Sequence, residues 1–169
     1  MRRTGVVRDR RYLCHGMERF HPESPLRLEA IYAMLEQPDM AGHFVDIEPR
    51  HATRKEIELI HDPDYVELVA STAGKAHFYL DPDTETTPES FDTASLAVGG
   101  LFNAIDRVMT GQADNAFALI RPPGHHAGKH EAAGFCLFNN IALGAMHALN
   151  QYHLKRILIV DWDLHHGNG

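Results

Sequence analysis

Ile157-Leu158-Ile159-Val160 runs without a polar interruption into Asp161-Trp162-Asp163-Leu164-His165-His166-Gly167-Asn168-Gly169. An earlier stretch repeats the design: Ala116-Phe117-Ala118-Leu119-Ile120 leads straight into Arg121-Pro122-Pro123-Gly124-His125-His126-Ala127-Gly128. Short runs that are apolar on both faces suit strands covered on both sides, as in a parallel α/β sheet. In such sheets ligands bind beyond the carboxyl ends of the strands. The two polar clusters are therefore the candidate site.

Between these runs the chain reads as helices and short strands in alternation. Ser24-Pro25 offers an N-cap and a first-turn proline, with Leu28, Ile31, Met34 and Leu35 on one face and Gln37-Pro38 as the stop. Residues 44–47 read as a strand. Thr53 with Glu56 three residues on is a capping box, and Asp62-Pro63 starts another helix carrying Val66 and Val69. The longest element begins near Thr87-Pro88. Phe91, Ala94, Val98, Leu101, Phe102, Ile105 and Val108 give it one broad buried stripe, and Gly111 ends it. Ile141, Ala145, Met146 and Leu149 mark a last helix, and residues 81–89 read as a polar surface loop.

Composition narrows the function. The 169 residues are 44% hydrophobic and 23% charged, which suits a single folded domain rather than a disordered tail or coiled coil. A net charge of −7 disfavours binding to a phosphate backbone through bulk electrostatics, so no nucleic-acid partner is expected. Cys14 and Cys136 form no zinc or redox spacing, no apolar run reaches membrane-spanning length, and no signal-peptide core follows Met1-Arg2-Arg3. These features suggest a cytoplasmic protein. Of 13 histidines, seven fall from His125 onward.

In an extended strand, Asp161, Asp163 and His165 share one face, and a carboxylate with an imidazole two residues on can converge on a divalent ion. Alternatively, Asp163 and His165 cap a helix or form a local ion pair. Two ligands do not complete a catalytic zinc site, which usually has three and a water. His125 and His126 follow a rigid Pro-Pro-Gly turn, and either suits a general base or a further ligand. Phe135 and Phe138 fit a channel lining or simply the core.

Residues 121–127, 134–140 and 161–169, in that order and spacing, resemble the zinc-dependent histone deacetylase family, which includes acetylpolyamine amidohydrolases and bacterial acetoin-utilisation-type deacetylases. Residues 21–28 and 61–66 resemble its N-terminal segments, and Asp161-Trp162-Asp163 with Asn168 is closer to the class II branch. The resemblance implies Asp163 and His165 as zinc ligands and His126 as the base acting on a zinc-bound water. It makes His125 that base's electrostatic partner, oriented by Asp161. Asn168 stands behind His126 where some members have an Asp. Gly134 and Phe135 would line a tunnel for an acylated lysine or polyamine, and Asp83 would grip the substrate backbone. Oxygens of Asp161, Asp163 and His165 would hold a potassium ion.

The implied fold is the α/β parallel-sheet arginase/deacetylase fold, with strand order 2-1-3-8-7-4-5-6. Residues 1–169 would be the N-terminal part of a single catalytic domain, truncated after about the fourth strand. That fourth strand, residues 157–160, would lack both sheet neighbours. The family's third zinc ligand and its carbonyl-polarising tyrosine, a group of a kind worth ~3–4 kcal/mol in the transition state, have no counterpart before Gly169. The expected function is zinc-dependent removal of acyl groups from lysine side chains or polyamines, with this chain inactive alone. The alternatives are a non-catalytic, deacetylase-like interaction module that binds through an exposed sheet edge, or another metallohydrolase of the arginase superfold.

Overall fold

A computed structural model describes residues 2–16 and 21–169; Met1, at the head of the basic N-terminus, lies outside the described residues. Three parallel strands form the central sheet: β1 (Thr4–Val7), β2 (Phe44–Ile47) and β5 (Asn115–Ala118), in the order β2-β1-β5. Thr4 is level with Phe44 on one side and Asn115 on the other, and Val7 with Ile47 and Ala118. This is the 2-1-3 beginning of the implied strand order.

The helices obey their local signals. The Ser24 hydroxyl accepts from the Leu26 N–H before α1 (Leu26–Leu35). Thr53 and Glu56 form the reciprocal capping box of α2 (Arg54–Ile57). Asp62 caps α3 (Pro63–Ala70), with Pro63 in the first turn. Asn139 caps α5 (Asn140–Tyr152), which ends where His153 turns left-handed.

The 20-residue helix α4 (Ser90–Met109) is the spine of the molecule. Its Val98 and Phe102 enter an apolar core with Ile57, Val66, Val69, Leu137 and Phe138. Its Leu96 and Ala97 enter a second core with Val7, Tyr12, Leu28 and Ile47. Two cores on one helix explain why residues 93–100 are buried all round, whereas one stripe was expected. Leu101, Ile105 and Val108, assigned to that stripe, are only half-buried.

Two further expectations are corrected. Residues 81–89 are not a plain loop: β3 (Phe78–Asp81) and β4 (Thr84–Thr86) pair as an antiparallel hairpin. Its polar look conceals Thr84 and Thr86, both fully buried, as β-branched residues can be in a strand. Residues 157–160 belong to no ladder, so they do not form a fourth strand among the described residues. A strand needs a partner for its backbone N–H and C=O groups, and none lies alongside. Phe117 on β5 is likewise exposed rather than covered, on a sheet face that opens into an apolar cavity with Ile31, Met34 and Leu119. No helix among the described residues is long and apolar enough to cross a membrane.

Helix α4 approaches the chain before α2 closely enough that a Cβ on Gly99 would stand 2.1 Å from the Arg50 carbonyl oxygen and 2.7 Å from the Ala52 nitrogen. Backbone cannot give way as a side chain does. Gly99→Ala should therefore cost about 3 kcal/mol in urea denaturation. Gly144→Ala, whose Cβ would meet the flexible end of Leu101 at 2.8 Å, should cost less. The reverse ranking would contradict this account of the contact.

Candidate active site

The chain leaving β5 is held before it reaches the histidine pair. Arg121 donates from Nε and Nη2 to the Glu23 carboxylate at 2.6 and 2.7 Å, and from Nη1 to the Tyr12 carbonyl at 3.0 Å. Both side chains are about 5% exposed or less. From the other side, Asn140 donates to the Pro122 carbonyl at 3.0 Å and Asn139 to the Ala127 carbonyl at 3.2 Å. A Cβ on Gly124 would lie 2.5 Å from the Asn140 nitrogen, so only glycine lets the turn sit this close to α5.

His61 adds a third tie. Buried between the loop and α5, it bonds through Nδ1 to the Gly128 carbonyl at 2.9 Å and accepts at Nε2 from the Asn139 N–H at 2.9 Å. Donation at Nδ1 and acceptance at Nε2 require the neutral ring, and burial lowers its pKa accordingly.

The turn presents His125 and His126 with ring centres 4.1 Å apart. His125 Nδ1 lies 2.9 Å from Asp161 Oδ2, and His126 Nδ1 lies 2.7 Å from Asn168 Oδ1. One histidine thus has a carboxylate behind it and the other a neutral amide. The Asn168 oxygen can only accept, so Nδ1 is the donor in this bond and Nε2 is left facing away from it. The bond from His125 is the main reason Asp161 has a lowered pKa. A Cβ on Gly167 would meet Asp161 Oδ2 at 2.4 Å.

A cavity of about 290 Å³ opens in front of the pair, bounded also by Asp83, Phe135, Asp163 and His165. Asp83 accepts from the Gly134 N–H at 3.2 Å, and Thr84 accepts from the Phe135 N–H at 3.1 Å, so the β3–β4 hairpin supports this wall. Gly134 and Phe135 both have positive φ. The His126 ring occupies the space a Cβ on Gly134 would need, 2.3 Å from Cδ2. His21 meets Phe135 edge-on at 4.6 Å.

Asp163 and His165 reach the same cavity but turn on each other. Asp163 Oδ1 accepts from the His165 N–H at 2.7 Å and stands 3.1 Å from its Nδ1. The backbone bond is the main cause of the lowered Asp163 pKa. Among the described residues no group of three or more His, Cys, Asp or Glu is placed to hold a metal ion. The residues present do not fit a complete zinc centre. Cys136 is no substitute nucleophile: burial pushes its thiol up to about 12.

Every site residue read from the sequence is at or beside this cavity. Glu23, Arg121, His61, Asn139 and Asn140 were given no such task. Tandem asparagines opening an apolar helix could have signalled a cap, but nothing in sequence pairs residue 23 with 121. Two of the unassigned histidines have structural partners. His147 stacks on Phe102 at 4.3 Å and bonds Asp106 at 2.7 Å, and His130 lies 3.7 Å from Asp62.

A parallel sheet in this order, with a histidine pair backed by Asp and Asn at its carboxyl end, defines a deacetylase-like α/β protein. The histone deacetylase domain matches residues 21–169. The chain is 40% identical to histone deacetylase 15 of Arabidopsis thaliana, over 98% of this chain and 31% of that protein. It is 41% identical to the human polyamine deacetylase HDAC10, over 87% of this chain and 23% of that protein. The crystal structure of the HDA15 HD domain superposes with a TM-score of 0.93 at 40% identity, covering 99% of this chain and 48% of that one. The chain belongs to the histone deacetylase family and spans about a third or less of these curated relatives.

Two predictions follow from the supports of the loop. Glu23→Ala leaves Arg121 buried without its counter-charge and should cost about 3–5 kcal/mol in denaturant unfolding. The double variant Glu23→Leu/Arg121→Met should recover much of that loss, and a single-variant cost below about 1 kcal/mol would show the pair to be dispensable. The second prediction concerns pH. Besides His61, the chain buries His15 completely, its Nδ1 2.8 Å from Ser90 Oγ at the start of α4; burial lowers the pKa of His15 to about 3 and also lowers that of His61, whereas both return to about 6.5 on unfolding. The unfolded chain then binds more protons, so the stability from these neutral rings is complete above about pH 6.5 and declines as pH falls. Between pH 6 and 5 the unfolding free energy should drop by up to about 1.4 kcal/mol per pH unit through His15, with His61 adding in the same direction. Urea midpoints measured across this range should flatten in His15→Leu, and an unchanged slope would remove His15 from the account.

Proposed function

We propose that these 169 residues by themselves form a non-catalytic, deacetylase-like module that presents half of an amidohydrolase site. The observation that carries this reading is the size of the donor set: Asp163 Oδ1 and His165 Nδ1 stand 3.1 Å apart at the cavity, and no third donor joins them among the described residues. Residues 1–169 are read accordingly as one part of a single deacetylase catalytic domain. The free cysteines suit a reducing cytoplasm.

A second reading is supported by the ordered histidine pair. With the missing donors supplied from outside these residues, Asp163 and His165 would be zinc ligands, and zinc would supply Lewis acidity toward an amide carbonyl. Oxygens of Asp161, Asp163 and His165 would hold potassium. His126, its proton fixed on Nδ1 by Asn168, would accept a proton at Nε2. His125, held by Asp161, would steady the resulting charge beside it. Gly134, Phe135 and Asp83 would form the wall against which an acylated lysine or polyamine lies, as the relatives' names suggest.

Zinc content and turnover of the purified chain separate the two. After dialysis the chain should keep well under one zinc per molecule and should not deacetylate acetyl-lysine peptide or acetylspermidine. Stoichiometric zinc with chelator-sensitive turnover would replace the first reading with the second.

A further inference from the structure

We propose that Thr84 is the positioning residue of the cavity wall: its buried hydroxyl holds Phe135 in a left-handed conformation, and with it the ring that meets His21 and the backbone that lies against His126. The use of that wall by an acylated chain rests on the second reading above, whereas its geometry does not. Ala133-Gly134-Phe135-Cys136 is a four-residue turn, closed by the Cys136 N–H on the Ala133 carbonyl at 2.9 Å. Both central residues have positive φ, 53° at Gly134 and 67° at Phe135. Turns of this type draw glycine, asparagine or aspartate at those positions, because a Cβ there crowds the following carbonyl oxygen. Phenylalanine runs against that preference. The other described non-glycine residues with positive φ are His77, exposed ahead of β3, and His153, which ends α5. Phe135 instead lines the cavity.

A backbone conformation that a residue disfavours locally persists only where its surroundings impose it. Here the surroundings are the β3–β4 hairpin. Thr84 Oγ1 accepts from the Phe135 N–H at 3.1 Å and donates to Asp83 Oδ1 at 3.2 Å. A hydroxyl has one proton to give and two lone pairs to receive with, so the two bonds coexist. The same carboxylate oxygen accepts from the Gly134 N–H at 3.2 Å. Asp83 is exposed, and its bond falls on the residue that takes positive φ without cost. Thr84 is fully buried, so water does not compete for its hydroxyl, and its bond falls on the residue that needs holding.

Two contacts follow from that grip. The Phe135 ring meets His21 edge-on at 4.6 Å. The Gly134 backbone lies so close to His126 that a Cβ would stand 2.3 Å from its Cδ2. A return of Phe135 to negative φ would move both surfaces. Held by Thr84, the wall has its shape before any ligand arrives, and a ligand that uses it is spared the entropy of ordering it.

The test is NMR on the isotopically labelled chain without zinc or substrate. In the parent chain a strong intraresidue amide–Hα cross-peak should mark the positive φ of Phe135, and its amide should exchange slowly. Thr84→Val keeps the side chain's shape and removes the hydroxyl. It should lose the strong cross-peak and speed exchange of the Cys136 amide, which closes the turn, by about tenfold or more. Thr84→Ser, which keeps the hydroxyl, should preserve both. In Thr84→Val/Phe135→Gly the turn should survive, with the Cys136 amide within about twofold of the parent, since glycine adopts positive φ unaided. A hydroxyl that only stabilised the hairpin would lose the turn in both backgrounds, and that result would overturn the proposal. An unchanged Phe135 cross-peak in folded Thr84→Val would do the same. So would a fast-exchanging Phe135 amide in the parent chain, a measurement that stands even where the valine variant does not fold. Zinc content and turnover are read in a different assay, so failure of either functional reading stays distinguishable.

Discussion

Charges are seldom taken out of water, and the ion pair between Arg121 and Glu23 is almost wholly buried. It sits where β5 ends and the histidine turn begins, and it joins that point to a segment 98 residues earlier in the chain. Three of the four hydrogen bonds made by the guanidinium go to Glu23, including its backbone carbonyl, and the fourth goes to the Tyr12 carbonyl. Any displacement of the N-terminal segment leaves one of these charges unpaired in a dry environment. The direction in which the chain leaves the sheet, and so the position of His125 and His126, depends on this contact.

Around it the supports are arranged in layers. Helix α4 carries two apolar cores, one toward β1 and α1 and one toward α3 and α5. The core toward α3 and α5 includes Phe138, whose ring lies 5.4 Å from that of His61 beneath the loop. Asn139 and Asn140 then convert the start of α5 into a clamp on that loop. Residues 157–164 meet the histidine turn through the Asp161 bond to His125 rather than through a ladder. The cavity thus has one built wall and one open side.

Much of the local structure was legible. Thr53 with Glu56, and Asp62 before Pro63, make the caps their spacing announces, because capping depends on residues three apart or fewer. The histidine turn and the Asp-rich cluster were legible as a site because polar residues following an apolar run need partners. Errors arose where neighbours decide. Residues 157–160 have a strand's composition but no adjacent strand, and residues 81–89 have a loop's composition yet contain half a hairpin whose threonines are buried.

The amino-acid sequence by itself determined the helices, their caps, the apolar runs and the family to which the chain belongs, since each rests on residue types at short or fixed spacing. Tertiary structure alone decided that Arg121 meets Glu23 and that His61 bonds both Gly128 and Asn139. It alone showed that Asp163 and His165 engage each other. These are contacts across long loops or choices among competing partners. Hydrogen bonding and charge pairing act only over a few ångströms, so they are settled only once the fold has brought the groups together.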